Sequence, residues 1–547
     1  MLRNQTFGFT SETSSAKIDF QCNAMTKRFL LFIAAFSLLL SLAWEDDIWN
    51  QSLQKMDSIV SLIEEHYFQD VDREELAQSS IRGMLQTLDP HSYFLDPKNL
   101  ATMREEYKGK YFGLGIMIQK QEDRLVVVTP LEGTPAYRLG IQTGDIISHI
   151  EGESTVPLSS FDAMQKLRGP EGTNVTITIV REGLDEPLEF TITRAEIPLY
   201  SVPYAFILEG DIGYIFIRNF AETTAEEFRE KMKLLKEQGM ERLILDLRGN
   251  GGGTFPQSIE LSDELLPKGS LVVSIQGRKS YYNRKFYALR DDQYESIPLI
   301  ILINSASASA PEIVCGAVMD NDRGLIVGED SFGKGLVQTL FPLSADAAVA
   351  LTTAKYFTPS GRSIQRDYSE VDDYFLAHEV PSEESREVRY TVNGRKVLGQ
   401  GGITPDYEAK FAYKLLTIRL LNKGAFFEYA KKFTARKTPL SRMLAFPEGN
   451  GKATQEAAQG VVDRGFKVTP EVLADFKGFL HETKIPFEET EFEEAKDQLE
   501  SEIQREIFSF LWGIEEGTKV FRQNDPVVRK AIDLFPEARA LMDKRPH

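Results

Sequence analysis

Apolar residues in the first part of the chain recur at helical spacing. The positions that mark this face are the following: Ile48, Leu53, Met56, Ile59, Val60, Leu62 and Ile63. A second periodic segment, Leu76–Leu88, stops at Asp89-Pro90. Residues 44–110 are therefore predicted to form a helical N-terminal region, which either packs on a core or makes an oligomer contact.

Residues 111–196 have the pattern of a small β-rich module. Strand-like runs occur at Gly115–Gln119, Leu125–Val128, Asp145–Ile150, Asn174–Arg181 and Leu188–Arg194. Short helical pieces are expected between them, at Pro135–Leu139 and Ser160–Leu167. The stretch Val175–Val180 consists of β-branched residues, which favour strands.

Residues 197–410 alternate apolar strands with helices. The continuous apolar strands are Leu243–Leu247, Leu299–Asn304 and Leu325–Gly328, and the helices are Ala225–Gln238 and Pro311–Met319. This alternation predicts a layered α/β core. The polar segment 365–400 is expected to be an exposed loop or flap.

Residues 411–547 return to a helical pattern. One apolar face is marked by Phe492, Ala495, Leu499, Ile503 and Ile507. Asp525-Pro526 suits the start of a further helix. This stretch is predicted to be a helical C-terminal extension, and it contains no motif that indicates chemistry.

The length, charge and cysteine content of the chain exclude several classes of function. The chain has 547 residues, which suggests three or four domains at ~150 residues each. Its formal net charge of −19 argues against a dedicated nucleic-acid binder, which needs a basic surface. The cysteines are Cys22 and Cys315, and histidines are few and scattered. These counts exclude a disulfide framework and a cysteine-based zinc site, and no metal site or cofactor is predicted.

The N-terminus carries an export pattern. Lys27 and Arg28 precede an apolar run over residues 29–42, and Ser41-Leu42-Ala43 offers small residues at a cleavage site. The run is short for a bilayer-spanning helix, which needs ~20 residues. Residues 1–43 are therefore predicted to be a leader and signal peptide, with an uncleaved membrane anchor as the alternative. Either outcome puts the working part in the periplasm or otherwise outside the cytoplasm.

A run of small residues joins an apolar strand to a helix at Leu302–Glu312. A serine in such a sharp turn projects outward, and the amide of the next residue points toward any oxyanion that the serine generates. The alternative is an ordinary serine N-cap.

A lysine between two glycines, Lys334, lies 25 residues after Ser309. With no histidine in either segment, a desolvated lysine can act as the base for a serine nucleophile. The alternative is a loop lysine that contacts phosphate or solvent. A third segment, Asp246–Gly253, places glycines after a buried strand, where amides can bind an oxyanion or simply form a tight turn.

These motifs together resemble the carboxy-terminal processing peptidases, also called tail-specific proteases. The matching segments, in one order along the chain, are Asp89–Ser92, Gly113–Ile116, Gly144–Ile146, Asn304–Glu312, Gly333–Gln338, Leu351–Ile364 and Gly402–Asp406. The resemblance implies a serine–lysine endopeptidase that cuts proteins near their C-termini. It implies a ClpP/crotonase-like α/β core over residues 197–410, with an inserted PDZ domain over residues 111–196.

The family pattern also assigns roles. Alignment on Glu312 makes Ser309 the nucleophile, in preference to Ser307 or Ser305, although Pro311 replaces the family's usual serine. Lys334 matches the general base and Gln338 the residue that orients it. Ala310 and Gly252 match the positions that supply oxyanion amides, and Asp320 matches a family acid that is expected to be structural. Lys355 is a rival base, but its strand-like setting and the family match favour Lys334.

The PDZ resemblance centres on Gly113, Leu114, Gly115 and Ile116, which would bind a peptide carboxylate through backbone amides. An inert β module is the alternative. The expected partners are protein substrates with free C-termini, with an adaptor or a second copy of the chain as further candidates. The rival functions are a catalytically inactive PDZ scaffold and an acyl-CoA enzyme on the related core fold.

Overall fold

A computed structural model describes residues 48–182, 184–290, 294, 296–370, 374–375, 381–446 and 461–544. The predicted leader, the signal peptide and Cys22 lie outside these residues. The chain divides into two compact units, Met1–Leu88 and Asp89–His547. Among the described residues, no helix has the length and apolar character that crossing a membrane requires.

The described part of the first unit consists of two helices, α1 over residues 48–66 and α2 over Arg73–Gln86. Asp72 caps α2, because its side chain accepts hydrogen bonds from the amides of Glu74 and Glu75. The α1 periodicity predicted from the sequence is present. Much of its apolar face is exposed, including Leu53 and Ile59.

The region predicted to be helical, residues 44–110, also contains a short strand that the sequence pattern does not predict. Strand β1 (Tyr93–Leu95) interrupts the helices and pairs antiparallel with residues 348–350, and helix α3 (Pro97–Lys108) follows it. Pro90 ends the helical stretch, and the strand forms because a distant partner offers an open edge. Residues 89–108 thus belong to the second unit.

The β-rich module has its own sheet and core. Its strands are β3 (Ile116–Gln121), β4 (Arg124–Pro130), β5 (Ile146–Ile150), β6 (Glu153–Ser154), β7 (Asn174–Val180) and β8 (Leu188–Thr193), and its helices are α4 (Pro135–Arg138) and α5 (Ser160–Leu167). The sheet order β3-β4-β5-β7-β8 leaves β3 at an edge. A separate antiparallel pair, β2 (Lys110–Gly113) with β9 (Ala195–Pro198), closes the base of the module.

The α/β core is built on a six-stranded sheet in the order β10-β11-β12-β15-β16-β21. These strands are β10 (Tyr204–Glu209), β11 (Ile212–Phe216), β12 (Arg242–Asp246), β15 (Leu299–Ile303), β16 (Leu325–Gly328) and β21 (Tyr407–Glu408). All neighbours pair in parallel except β10 with β11. Helices α6 (Thr224–Glu237), α7 (Phe255–Leu265) and α8 (Ala310–Asp320) belong to the same core.

A second, antiparallel sheet adjoins this core. It contains β1 with β13 (Leu271–Gly277), β14 (Arg284–Tyr287), β17 (Leu336–Pro342) and β18 (Ala348–Phe357). The described part of segment 365–400 is not simply an exposed loop, because it contains the hairpin β19 (Val388–Tyr390) with β20 (Lys396–Leu398). Arg386 in this segment is buried.

The C-terminal helices form two groups. Helices α9 (Leu415–Asn422), α10 (Ala425–Thr434), α11 (Pro470–Glu482) and α12 (Glu489–Trp512) share a core of their own. Three shorter helices follow: α13 (Ile514–Gln523), α14 (Pro526–Asp533) and α15 (Phe535–Asp543).

Helices α14 and α15 cover one face of the six-stranded sheet. Ile244 packs with Val528 on this face, whereas its neighbours Leu243 and Leu245 pack on the opposite face with α6–α8. Burial on both faces explains why the parallel strands are continuously apolar. The end of the C-terminal extension is therefore a structural layer of the core.

Buried ion pairs join these helices to the end of β12. Arg248 binds the carboxylates of Asp246 and Asp525, at 2.6 and 2.8 Å. Asp525 also caps α14 by accepting a hydrogen bond from the Val527 amide at 2.9 Å. Asp246 and Asp525 are almost fully buried. Arg248 thus ties the glycine-rich segment after β12 to the C-terminal helices.

We expect Asp525→Ala to lower the free energy of unfolding by about 3 kcal/mol, because it removes a helix cap and half of a buried ion pair. Denaturant unfolding measures this change. Glu209→Ala is the matched control, since it breaks the exposed Arg529–Glu209 pair, whose loss should cost less than about 1 kcal/mol. Equal effects of the two variants would contradict this role for Asp525.

Candidate active site

Ser309 occupies a strained turn between β15 and α8. It is the N-cap of α8 with φ 63° and ψ −109°, a backbone conformation that non-glycine residues rarely adopt. Pro311 lies in the first turn, where its missing amide hydrogen costs nothing. Gly252 approaches this turn so closely that a Cβ atom there would lie 3.0 Å from the Ser309 Cβ. The serine and the glycine-rich segment therefore meet in space.

The buried carboxylate of Glu312 holds the two candidate segments together. It accepts hydrogen bonds from the Ser309 amide at 2.7 Å and the Lys334 amide at 3.0 Å. It also accepts one from the Gly333 amide at 2.7 Å and one from the Ser331 hydroxyl at 2.5 Å. Burial raises the pKa of Glu312, and these hydrogen bonds act to lower it. One side chain thus fixes the backbone of both Ser309 and Lys334.

Lys334 is partly buried, and burial lowers the pKa of its ammonium group. The charges of Glu312 and Asp89 act in the opposite direction. Tyr356 fixes the Lys334 backbone, because its hydroxyl donates to the Lys334 carbonyl at 2.7 Å and lies 3.3 Å from the Ser309 carbonyl. Burial therefore makes Lys334 easier to deprotonate than an exposed lysine.

Ser309, Lys334 and Gln338 line one cavity of about 630 Å³, together with residues 251–253. The structure thus brings these three predicted residues to one cavity. Among the described residues no hydrogen bond joins the Ser309 hydroxyl to the Lys334 amine, and the Gly252 amide donates to Asn250 Oδ1 at 2.9 Å. An oxyanion contact from Gly252 therefore requires that this hydrogen bond open.

Ser307 has a structural position. Its side chain is fully buried, its hydroxyl donates to the Leu247 carbonyl at 2.8 Å, and it accepts from the Asn304 amide at 3.0 Å. These bonds join the ends of β12 and β15. The surroundings agree with the choice of Ser309 over Ser307.

Two other predicted residues lie away from the cavity. Lys355 is exposed on β18, next to the buried Tyr356. Asp320, at the end of α8, is buried and pairs with Arg362 at 2.9 Å. This contact fits a structural acid. Within the described residues, no cluster of three or more His, Cys, Asp and Glu side chains is placed to hold a metal ion.

Sequence reasoning gave no role to Thr352 or Glu312. The Gln338 side-chain amide donates to the Thr352 hydroxyl at 3.2 Å, and that hydroxyl donates to Asp89 Oδ1 at 3.0 Å. Both Asp89 and Thr352 lie in matched motifs, so their positions were visible in the sequence. Their contacts were not, because more than 250 residues separate them in the chain.

The β-rich module carries an apolar groove of about 430 Å³ beside its edge strand β3. Its lining includes Leu114, Gly115 and Ile116 from the predicted carboxylate loop and Met164 from α5. Gly115 has φ +76°, and a Cβ atom there would lie 2.3 Å from Thr134. Only glycine therefore fits this loop.

Gly113 differs from the other three loop residues. It ends β2, where it pairs with Ala195, and it is not part of the described groove lining. The groove also has walls from outside the module: Tyr200, Tyr204, Arg218 and Ile514. The C-terminal helices thus contribute to the same surface as the module.

Family models match three parts of the chain. The model described as Peptidase family S41 matches residues 211–373, and the model described as PDZ domain matches residues 126–181. The model described as Activating protease CtpB N-terminal domain matches residues 41–99. The β-rich module therefore contains a PDZ domain, and the α/β core contains a peptidase domain.

A carboxy-terminal-processing protease of Bartonella bacilliformis is 38% identical over 354 residues, which are 62% of this chain and 81% of that protein. The chain belongs to peptidase family S41. The carboxy-terminal processing protease CtpB of Bacillus subtilis is 32% identical to this S41 peptidase, and the match covers 59% of this chain and 68% of that protein. The solved photosystem II D1 C-terminal processing protease aligns with 63% of this chain and 84% of its own, at 29% identity and a TM-score of 0.34.

The family models and the two related proteases confirm the predictions of family and enzyme class. The described elements confirm the predicted multidomain α/β fold class. This S41 peptidase is a C-terminal processing serine protease with a PDZ domain. Its fold is a multidomain α/β arrangement with helical N- and C-terminal regions.

We expect Glu312→Gln to lower kcat at least ~10-fold and the free energy of unfolding by about 3 kcal/mol. The glutamine amide would direct N–H groups at backbone N–H groups that now donate to the carboxylate. Steady-state cleavage and denaturant unfolding measure the two effects. Glu226→Gln, at an exposed position in the first turn of α6, is the matched control. A Glu312→Gln enzyme that matches this control would exclude the role assigned to the carboxylate.

Proposed function

We propose that this chain is an exported serine endopeptidase that cuts proteins near their C-termini through a Ser309/Lys334 dyad and an acyl-enzyme. The observation that carries the proposal is the shared cavity, in which a strained serine lies with a partly buried lysine whose pKa is lowered by burial. The Glu312 carboxylate fixes the backbone of both residues.

The proposed reaction begins when Ser309 Oγ attacks a peptide carbonyl while neutral Lys334 accepts its proton. The protonated lysine then donates that proton to the leaving amine, and water hydrolyses the acyl-enzyme. The Ala310 amide, at the start of α8, and the Gly252 amide would stabilise the oxyanion once the Gly252–Asn250 bond opens. Gln338 would orient the lysine amine. These steps use residues of this chain only.

The PDZ groove is the proposed site for the substrate tail. A peptide can add to the free edge of β3, with its carboxylate at the amides of Leu114, Gly115 and Ile116. The groove lining supports an apolar tail, since Ile118 and Leu131 also contribute to it.

Export to the periplasm or another extracytoplasmic compartment is proposed from the basic and apolar pattern of residues 27–43. If the segment stays uncleaved, it is the only proposed link to a membrane. The exposed apolar face of α1 supports self-association, and an adaptor protein is a further candidate partner for this face.

We expect Ser309→Ala and Lys334→Ala each to reduce cleavage of an unstructured protein with an apolar C-terminal tail by at least ~10³-fold. Lys355→Ala is the matched control and should retain wild-type activity, because Lys355 is exposed outside the cavity. Product masses from intact mass spectrometry locate the cut. Cleavage that survives in Ser309→Ala would eliminate the proposed nucleophile, and a wild type that binds tails without cutting would favour the scaffold function.

The pH profile tests the base. A protonated lysine cannot accept the serine proton, so kcat/KM should rise with pH through the pKa of Lys334. Because burial lowers that pKa, kcat/KM should increase at a lower pH than the pH at which an ordinary exposed lysine titrates. The profile is measured with a peptide that lacks ionisable side chains. A rate that increases only in the range of an exposed lysine would contradict the assignment.

Tail recognition is tested by binding a fluorescent peptide with an apolar C-terminal residue to Ser309→Ala protein. We expect amidation of the peptide C-terminus to weaken binding at least ~10-fold, because it removes the charge that the loop amides bind. Met164→Asp should weaken binding similarly by placing a carboxylate in the groove lining. Val180→Asp, at an exposed position outside that lining, is the control. Equal affinity for free and amidated peptides would contradict the proposed site.

A further inference from the structure

Asp89 lies at the start of the second unit, just before β1, and its carboxylate is surrounded by donors. Oδ1 accepts from the His91 amide at 2.8 Å and from the Thr352 hydroxyl at 3.0 Å, and Oδ2 accepts from the Ser92 hydroxyl at 2.8 Å. The Thr352 amide donates in turn to Ser92 Oγ at 3.0 Å. Asp89 is thus bound to the middle of β18 directly through the Thr352 hydroxyl and indirectly, through Ser92, to the Thr352 backbone.

The Thr352 hydroxyl fixes which groups donate and which accept in this chain of hydrogen bonds. An ionised carboxylate only accepts, so Thr352 donates its one proton to Asp89 and can only accept from Gln338. The Gln338 amide therefore turns Nε2 toward Thr352, at 3.2 Å, and its Oε1 is not used in this contact. A register shift in the β17–β18 pairing brings Gln338 opposite Thr352.

From these contacts, and on the basis of the proposed function, we infer that Asp89 is a positioning residue for the base. Through Thr352 it fixes the orientation of the Gln338 amide, so that the carbonyl oxygen accepts from the Lys334 amine. The amine is then held with its lone pair free for the Ser309 proton. Without Asp89 or the Thr352 hydroxyl, the amide can rotate and present its NH₂ group to the lysine, where it would donate to the lone pair that has to accept the Ser309 proton.

The location of Lys334 agrees with this inference. Lys334 lines the same cavity as Gln338 and is close enough to Asp89 for the carboxylate charge to act on its pKa. Burial and the Lys334 charge lower the pKa of His91, two residues after Asp89, to about 4, while the Asp89 charge acts to raise it. The titratable groups around the base are as follows: Asp89, His91, Glu106, Glu312, Tyr93, Tyr107 and Tyr356.

The test uses full-length enzyme and the tail-bearing protein substrate. We expect Thr352→Val to lower kcat about 10- to 100-fold with little change in KM, because the amide orientation is lost while the substrate contacts remain. Thr352→Ser keeps the hydroxyl and should retain activity within about threefold of wild type. Thr339→Val is the matched control, since Thr339 bonds Thr353 at 2.7 Å in the same strand pair without contacting Asp89.

A double-mutant comparison separates positioning from stability. If Thr352 acts through Gln338, then Thr352→Val should cost nothing further in a Gln338→Ala background. A purely structural role would give additive losses in the two backgrounds and would overturn the inference. Thermal melting of each variant gives the folded fraction to which kcat is normalised.

Asp89→Asn provides a second readout in case Thr352→Val folds poorly. Removal of the Asp89 charge should lower the pKa of Lys334 further, so the rising limb of kcat/KM should move to lower pH while kcat falls. A structural defect would reduce folded enzyme without moving the limb. A wild-type kcat in folded Asp89→Asn enzyme, with or without a shifted limb, would overturn the inference alone, whereas cleavage that persists in Ser309→Ala would overturn the proposed function as well.

Discussion

The arrangement of the candidate site depends on one buried carboxylate. Glu312 bears the cost of burying a charge, and four hydrogen bonds from two separate segments offset it. Because each oxygen accepts two donors, the carboxylate cannot move without releasing both the turn at Ser309 and the loop at Lys334. The strained Ser309 backbone persists for the same reason, since its amide is held at 2.7 Å by a side chain that the core encloses.

Other long-range contacts extend this rigidity outward. Arg248 joins the start of the glycine-rich segment to the C-terminal helices. Thr352 joins the β17–β18 strand pair, which follows the Lys334 loop, to the segment around Asp89. The segments that carry the cavity residues are therefore held by contacts with the first and the last parts of the second unit. The six-stranded sheet would expose an apolar face if α14 and α15 were absent, which explains why the extension is part of the core.

Residues with local signatures were predictable from the sequence. The apolar periodicity indicated the α/β core and the helical regions, and the motifs around Ser309 and Lys334 pointed to segments that meet in one cavity. Strand β1 was missed because its three residues form a strand only beside a distant edge. The role of Glu312 was missed for a similar reason. Its motif looks like an ordinary capping sequence, and only the fold brings the Lys334 loop to the carboxylate.

The shared wall of the PDZ groove has a thermodynamic consequence. Ile514, Tyr204 and Arg218 line the groove although they lie outside the module. Lys431 of α10 also contacts the module, because it donates to the carbonyl of Gly144 in the module at 3.2 Å. The shape of the groove therefore depends on how the module is oriented relative to the core and the C-terminal helices. A peptide that fits one orientation better must favour that orientation, and a contact that fixes the orientation must alter peptide affinity by the same factor.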